Sequence, residues 1–241
     1  MKKEFVLFLV FNSNFYEPLT VWIDSFLRNG NVDPELYDLV CYCSNEVDVE
    51  SLQKRITVPF TLITGDSSKY KHQLNMGNYM HREGYILTAA LRLDAIDHLK
   101  HEYRTGIYFD IDALVCDDVS EMFNHLPDNK KVKAAFDHPM VGFKIKNDLP
   151  LVDKNYVNIN PRYFNNGVMV LNFDSLDEDM SPLFIKHSGS NMLFEQDFMN
   201  YFYKPEDIMI LPYNYNCHPS YDVLGMDLKM VERLKSFIPS V

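Results

Sequence analysis

Hydrophobic residues in the first half of the chain follow two alternating spacings. Residues 5–10 form a continuous apolar run, which is typical of a strand covered on both faces of a sheet. The apolar residues that follow recur at helical spacing, and the dipeptide Asn29-Gly30 provides an end for that helix. Two further strand-like runs, 36–43 and 60–63, enclose a short amphipathic helix over 49–56.

The next segments continue this alternation of strands and helices. A helix with an apolar face over 86–96 leads into a strand at 106–109. The resulting β-α-β-α-β order predicts an α/β fold with a mainly parallel, Rossmann-like sheet flanked by helices. The second half is more irregular, with one clear strand at 168–171. Because no repeat or linker interrupts the chain, we expect a single domain over residues 1–241.

Composition excludes some classes of partner. The 241-residue chain has a formal net charge of −11, which argues against binding to nucleic acid or to an anionic membrane. No apolar stretch approaches the roughly 20 residues of a transmembrane helix, and residues 5–11 fit a buried strand better than a signal peptide. The cysteines, Cys41, Cys43, Cys116 and Cys217, form no C-x-x-C pair. We therefore expect reduced thiols and a cytoplasmic protein.

Two acidic residues, Asp110 and Asp112, directly follow the strand at 106–109. In an extended backbone their side chains would point to the same side of the chain. Two converging carboxylates without an adjacent Lys or Arg repel each other unless a cation neutralises them. Mg²⁺ or Mn²⁺ would do so through oxygen ligands and would leave coordination sites open for a diphosphate. A turn or helix cap built from Asp remains the simpler alternative.

Several short motifs accompany the acidic pair in a fixed order. They are ALRL at 90–93, YFDIDALVCDDVSEMF at 108–123, AAFD at 134–137, YFNNGVMVLN at 163–172, EQDFMN at 195–200 and LPYNYN at 211–216. In this order the motifs resemble those of glycosyltransferase family 8, which includes bacterial lipopolysaccharide galactosyl- and glucosyltransferases and the glycogenins. Each motif is weak by itself, but the ordered set covers most of the chain.

The resemblance implies a GT-A fold, a UDP-sugar donor, a Mn²⁺ (or Mg²⁺) ion and transfer that retains the anomeric configuration. It assigns metal and diphosphate binding to Asp110 and Asp112, and phosphate or sugar binding to Arg92. The remaining assignments are uracil and ribose contacts for Asn12 and Asn14, sugar hydroxyl contacts for Asp137, Asn165 and Asn166, and a catalytic group, Gln196, flanked by Glu195 and Asp197. Gln196 would stabilise an oxocarbenium-like transition state beneath the anomeric carbon.

The sequence departs from the family pattern at three places. Asn12 and Glu195 stand where the family usually has Asp. The family's C-terminal HxxGxxKPW segment has no counterpart before the chain ends at 238–241. The resemblance therefore implies either a truncated chain or a lost motif, with weakened metal and donor affinity.

Simpler structural interpretations stand beside these roles. Arg92 could be a solvated helix residue, and Asn165-Asn166-Gly167 could form a turn before a strand. Asp137 and the run 195–197 could cap a helix.

The predicted function is transfer of galactose or glucose from a UDP-sugar to a saccharide acceptor, in cytoplasmic glycan assembly of the lipopolysaccharide type. Peripheral contact with the inner face of the membrane, through a missing C-terminal tail, is left open. Two alternatives are a non-catalytic nucleotide-sugar-binding module and a haloacid-dehalogenase-type phosphohydrolase with Asp110 as its nucleophile.

Overall fold

A computed structural model describes residues 2–44, 47–74, 83–137, 163–187 and 195–217. The chain end at 238–241 lies outside these residues. Their strands are β1 (Lys3–Phe11), β2 (Tyr37–Ser44), β3 (Thr61–Gly65), β4 (Tyr103–Phe109), β5 (Val132–Phe136), β6 (Phe164–Asn172) and β7 (Ile208–Leu211). Their α-helices are α1 (Tyr16–Asn29), α2 (Val49–Gln53), α3 (Lys71–Leu74), α4 (Glu83–Leu99), α5 (Met180–His187) and α6 (Glu195–Phe202).

The described strands form one mixed sheet in the order β3-β2-β1-β4-β6-β5-β7. β1 pairs in parallel with β2 and β4, β2 pairs in parallel with β3, and β5 pairs in parallel with β7. β6 runs antiparallel to both of its neighbours, β4 and β5. The predicted mainly parallel sheet is therefore confirmed, and β6 supplies the antiparallel pairs.

Helices cover both faces of this sheet, which explains the continuous apolar run at the start of the chain. Val6, Phe8 and Val10 of β1 pack into the core formed with α4, α5 and α6. The alternate residues of β1 pack on the other face, in the core that contains α1 and its Trp22. Because both faces are buried, β1 needs no polar side, and its centre shows no alternation.

Every strand predicted from the sequence overlaps an observed strand. The helix predicted over 49–56 is shorter and ends at Gln53. The backbone N–H of Arg55 donates to the carbonyl of Leu52 at 2.9 Å, so the chain tightens into an i to i−3 turn at this point. Strand β7 was not predicted.

Two further observations concern the helices and the cysteines of the described residues. No helix among them is long and apolar enough to cross a membrane. All four cysteines are free thiols, with Cys41 and Cys43 buried in β2 and Cys116 and Cys217 exposed.

Candidate active site

The polar residues of the candidate site lie at the carboxyl ends of β1 and β4. Ligands of open α/β sheets bind at this edge. A cleft of about 340 Å³, which includes space open to solvent, lies between these strand ends and α4. Its wall is made of Val10, Phe15, Thr88, Ala89, Arg92, Tyr108, Asp110, Ile111 and Asp112. The sequence-predicted acidic pair and Arg92 therefore lie in one cleft.

The acidic pair lies on a turn, because β4 ends at Phe109. The backbone N–H of Ala113 donates to the carbonyl of Asp110 at 3.0 Å and closes this turn. The prediction of an extended backbone through both residues is thus wrong. The consequence expected from it still holds, since Asp110 and Asp112 both line the cleft.

Arg92 is buried beside Asp110, with 3% of its surface exposed. Its Nη2 donates to Asp110 Oδ1 at 2.7 Å, and its Nη1 donates to the carbonyl of Asn166 at 2.8 Å. The guanidinium lies over the ring of Tyr108, 4.3 Å from its centroid, and the hydroxyl of Tyr108 also donates to Asp110 Oδ1. The interpretation of Arg92 as a solvated helix residue is wrong. So is the premise that the acidic pair has no neighbouring cation.

The contacts of Asp110 leave one oxygen for a further ligand. Oδ1 accepts from Arg92 and Tyr108, whereas Oδ2 faces Gly167, where an added Cβ would lie 2.6 Å away. Among the described residues no group of three His, Cys, Asp or Glu side chains is arranged to hold a metal ion. Two carboxylates on the same cleft are nevertheless the hard oxygen donors that Mg²⁺ and Mn²⁺ prefer. The residues present could hold such an ion, and Asp110 Oδ2 and Asp112 would be its protein ligands.

Gln196 lies in the first turn of α6 and is held by hydrogen bonds on several sides. Its Nε2 donates to Asp137 Oδ2 at 2.9 Å and to the hydroxyl of Tyr163 at 3.3 Å. Its Oε1 accepts from the backbone N–H of Asn166 at 3.3 Å. Asn166 also offers its carbonyl to Arg92, so a chain of hydrogen bonds joins Asp110 to Gln196.

The two acids beside Gln196 are buried in different environments. Burial raises the pKa of Glu195, the guanidinium of Arg92 opposes that rise, and the nearby carboxylate of Asp110 adds to it. Glu195 Oε1 lies 3.9 Å from Arg92 Nη1. Asp197 Oδ1 accepts from the hydroxyl of Tyr163 at 2.6 Å. Both acids occupy the first turn of α6, as the helix-cap interpretation expected. The helix dipole stabilises negative charge at this position.

The asparagines assigned to the sugar lie within β6, so the interpretation of 165–167 as a turn is wrong. Asn165 Nδ2 donates to Asp137 Oδ2 at 3.2 Å, and Asn165 Oδ1 accepts from the N–H of Gly167 and from Asn216 Nδ2. Asp137 follows β5 directly, where its backbone N–H bonds to the carbonyl of Tyr163. It shares one polar cluster with Asn165 and Gln196, and the residues that follow it, on which the helix-cap interpretation depends, lie outside the described part of the chain.

The residues assigned to the nucleoside lie at the end of β1. Asn12 is buried, and its Oδ1 accepts from the N–H of Asn14 at 3.0 Å. Its Nδ2 donates at 2.7 Å to Thr88, which lines the cleft. Asn14 itself is exposed in a short 3-10 turn.

Sequence reasoning missed three tyrosine and threonine side chains that complete the site: Thr88, Tyr108 and Tyr163. The signal for Tyr108 was available, because it precedes Asp110 by two residues and the period of a strand puts both on one side. Tyr163 and Thr88 carry no such local signal, since their roles depend on Asp197 and Asn12, which are distant in the sequence.

The sequence matches one family of enzymes, and the fold agrees with it. The family model for glycosyl transferase family 8 matches residues 6–236, and the chain belongs to that family. The arrangement of strands and helices is the GT-A glycosyltransferase fold. This membership supports a glycosyl transfer function and argues against the phosphohydrolase alternative. No curated protein sequence matches the chain.

Solved structures share the fold at low sequence identity. The galactosyltransferase LgtC, in complex with donor and acceptor sugar analogs, has a TM-score of 0.69 at 16% identity, over 98% of this chain and 84% of LgtC. The apo bifunctional glycosyltransferase WbbM has a TM-score of 0.63 at 20% identity, over 88% of this chain and 39% of WbbM. Mouse xyloside xylosyltransferase 1, also apo, has a TM-score of 0.55 at 17% identity, over 91% of both chains.

Proposed function

We propose that this protein transfers a hexose, galactose or glucose, from a UDP-sugar to a saccharide acceptor, with retention of the anomeric configuration and with a divalent metal. The observation that carries the proposal is the hydrogen-bond chain from Asp110 through Arg92 and Asn166 to Gln196. It connects the acidic pair on the cleft to a fixed amide in a chain of family 8. A binding module would need the first of these groups but has no use for the second.

The cleft residues divide into two chemical functions in this proposal. Asp110 Oδ2 and Asp112 would hold Mn²⁺ or Mg²⁺, which when bound offsets charge on the departing diphosphate. Arg92 orients Asp110, because its planar donor fork is committed to that carboxylate and to Asn166. The orientation of the carboxylate is therefore fixed before any ligand arrives, which lowers the cost of ordering the site during the reaction.

The second function belongs to the cluster around Gln196. Positive charge develops on the sugar ring when the bond to the diphosphate breaks, and the carbonyl dipole of Gln196 would stabilise it. Asp137 and Asn165 would bind the sugar hydroxyls, and Asn12 and Asn14 would contact the nucleoside. An LgtC structure that matches this chain at 14% identity is that of an active-site mutant with glutamine replaced by glutamate, which supports a catalytic role for a glutamine on this fold.

The setting proposed for the reaction is the cytoplasm, in glycan assembly of the lipopolysaccharide type. The exposed free thiols of Cys116 and Cys217 support a reducing compartment. Any membrane contact would be peripheral.

Donor turnover is the direct test of this proposal. The purified chain would be incubated with UDP-galactose or UDP-glucose and Mn²⁺, with lactose, other saccharides or water as the acceptor. We expect release of UDP that stops when EDTA is added, and proton NMR of the first product should show the donor's anomeric configuration. Metal-dependent UDP binding without any turnover would instead indicate the non-catalytic binding module.

Calorimetry locates the metal and nucleotide site. We expect Asp112→Asn to abolish the Mn²⁺-dependent part of UDP binding. Asp117→Asn is the matched control, because Asp117 is an exposed acid on the same loop and does not line the cleft. A folded wild-type chain that binds no UDP with metal present and turns over no donor would refute the proposed function.

A further inference from the structure

Gln196 depends on its neighbours for its orientation, because a side-chain amide has a donor end and an acceptor end of nearly the same shape. In the structure, Nε2 faces Asp137 and Tyr163, and Oε1 faces the N–H of Asn166. In the reversed orientation Oε1 would face the Asp137 carboxylate, and the amide N–H groups would face another N–H. Buried donors and acceptors without partners cost free energy, so the neighbours select one orientation.

Tyr163 has a specific part in this selection. It is completely buried, and its hydroxyl hydrogen is directed at Asp197 Oδ1, 2.6 Å away. The hydroxyl therefore presents an oxygen lone pair to Gln196, and it accepts from Nε2 at 3.3 Å. Hydrogen bonds thus connect four side chains in the order Asp137, Gln196, Tyr163 and Asp197, with a carboxylate at each end. Because an ionised carboxylate only accepts, the direction of every hydrogen bond between them is determined.

We propose that Tyr163 is a positioning residue that, with Asp197 behind it, fixes the side-chain amide of Gln196 with its carbonyl oxygen directed away from Asp137. This inference rests on the proposed function only for its effect on turnover, since the orientation itself is a property of the free protein. Phe at this position would retain the ring and lose the acceptor for the second amide hydrogen of Gln196. Asp137 and Asn166 would then still hold the amide, but its hydrogen bond to the Tyr163 hydroxyl would be lost.

NMR tests the orientation without any substrate. The glutamines of the chain are Gln53, Gln73 and Gln196, so selective ¹⁵N-glutamine labelling leaves few side-chain amide signals, and Gln53→Ala and Gln73→Ala identify that of Gln196 by elimination. In the wild type we expect a nuclear Overhauser effect between this amide and a slowly exchanging hydroxyl proton. In Tyr163→Phe we expect that effect to vanish and the exchange of the amide hydrogens with solvent to accelerate about tenfold.

Tyr203→Phe is the matched control. Tyr203 is equally buried and follows α6, but its hydroxyl faces Met180 Sδ at 3.9 Å, outside the cluster around Gln196. We expect this variant to leave both the Gln196 amide signal and the turnover within twofold of wild type. The control separates the loss of a buried tyrosine hydroxyl in general from the loss of this particular one.

Kinetics then tests the effect on the reaction. With the donor found above, we expect Tyr163→Phe to lower kcat about tenfold, with KM and the calorimetric affinity for UDP within twofold of wild type. An unchanged kcat in an otherwise active enzyme overturns the proposal, and so does the absence of the hydroxyl signal in wild type, which needs no variant to fold. A wild type with no turnover refutes the proposed function instead, and the NMR result still decides the orientation of Gln196.

Discussion

At the scale of single residues, Arg92 combines several contacts in one side chain. Its guanidinium pairs with Asp110, bonds to the backbone of Asn166, lies over the ring of Tyr108 and approaches Glu195. A planar fork satisfies these directions together, whereas the ammonium of Lys is a compact point charge. Arg92 therefore keeps two acids, Asp110 and Glu195, close together in the folded chain.

Replacing Arg92 tests how much its charge contributes to the stability of the fold. Arg92→Met should lower the free energy of unfolding by about 2–3 kcal/mol, because it leaves Asp110 and Glu195 without their cation in a mostly buried site. Arg28→Met removes an exposed ion pair with Asp24 and should cost less than about 0.5 kcal/mol. Urea denaturation of both variants and the wild type measures the difference. Equal losses in the two variants would show that the buried network contributes no special stability.

The second residue of interest is Gly167, which lies against Asp110 Oδ2. In Gly167→Ala the added Cβ would lie 2.6 Å from that oxygen and 2.9 Å from Asn165 Oδ1, so the carboxylate has to move. We expect Mn²⁺-dependent UDP affinity to fall at least about tenfold, which corresponds to 1.4 kcal/mol. Calorimetry measures the affinity, and a thermal melt confirms that the variant is folded.

A second glycine in the same sheet, Gly106, provides a control that distinguishes an effect on the site from an effect on core packing. Gly106→Ala places its Cβ 2.2 Å from the ring of Phe173, away from the cleft. Overpacking there should cost about 1–3 kcal/mol of stability and leave UDP affinity close to wild type once the protein is folded. If Gly106→Ala weakened UDP binding as much as Gly167→Ala, the local explanation through Asp110 would be wrong.

At the scale of elements, the site depends on how α6 and β6 are joined. Asn200 Nδ2 donates to the carbonyls of Phe164 and Gln196, and Asn200 Oδ1 accepts from the N–H of Phe164. The side chain thus bonds to the first residue of β6 as a neighbouring strand would. Since Gln196 lies one helical turn before Asn200, this contact sets the distance between α6 and the asparagines of β6.

Removing this link should disturb stability and site together. Asn200→Ala leaves a buried backbone N–H and C=O without these partners and should cost about 2 kcal/mol of unfolding free energy. The exposed Asn124 bonds to the carbonyl of Glu121, and Asn124→Ala is expected within about 0.5 kcal/mol of wild type. Urea denaturation checks both values. Because α6 shifts, donor turnover should also fall in Asn200→Ala and not in Asn124→Ala.

The sequence predicted elements better than contacts between elements. β1 and β4 could be found because their apolar runs reflect burial on both faces, a local property of the chain. The antiparallel direction of β6 could not, since it depends on pairing with β4 over a long sequence separation. The ion pair of Arg92 with Asp110 and the hydrogen bond from Tyr163 to Asp197 could not be predicted either, because their partners are also distant in the sequence. The family motifs indicated which residues meet at the site, and the structure shows which atoms do.

At the scale of the whole molecule, net charge determines whether the protein attracts or repels its proposed donor. The chain carries a net charge of −11, and the cleft contains Asp110 and Asp112. UDP is itself an anion, so its diphosphate is repelled by the general field and by the two carboxylates of the cleft, whose charge Arg92 offsets only in part. A divalent cation between the diphosphate and the two acids reverses the sign of the local interaction. Metal and nucleotide should therefore bind with strong positive coupling, each raising the affinity of the other by the same factor.

Thermal unfolding measures this coupling in the intact protein. A ligand that binds the folded state at 100 times its Kd stabilises it by about 2.7 kcal/mol, so Mn²⁺ and UDP together should raise Tm by several degrees. UDP alone should give almost no shift, and the combined shift should exceed the sum of the separate ones. Asp112→Asn reduces both attraction for the metal and repulsion of the diphosphate, so it should lose the combined shift while its shift with UDP alone becomes slightly larger. Equal shifts with UDP in the presence and absence of Mn²⁺ would show that the nucleotide is held without a metal, and the acidic pair would then need another explanation.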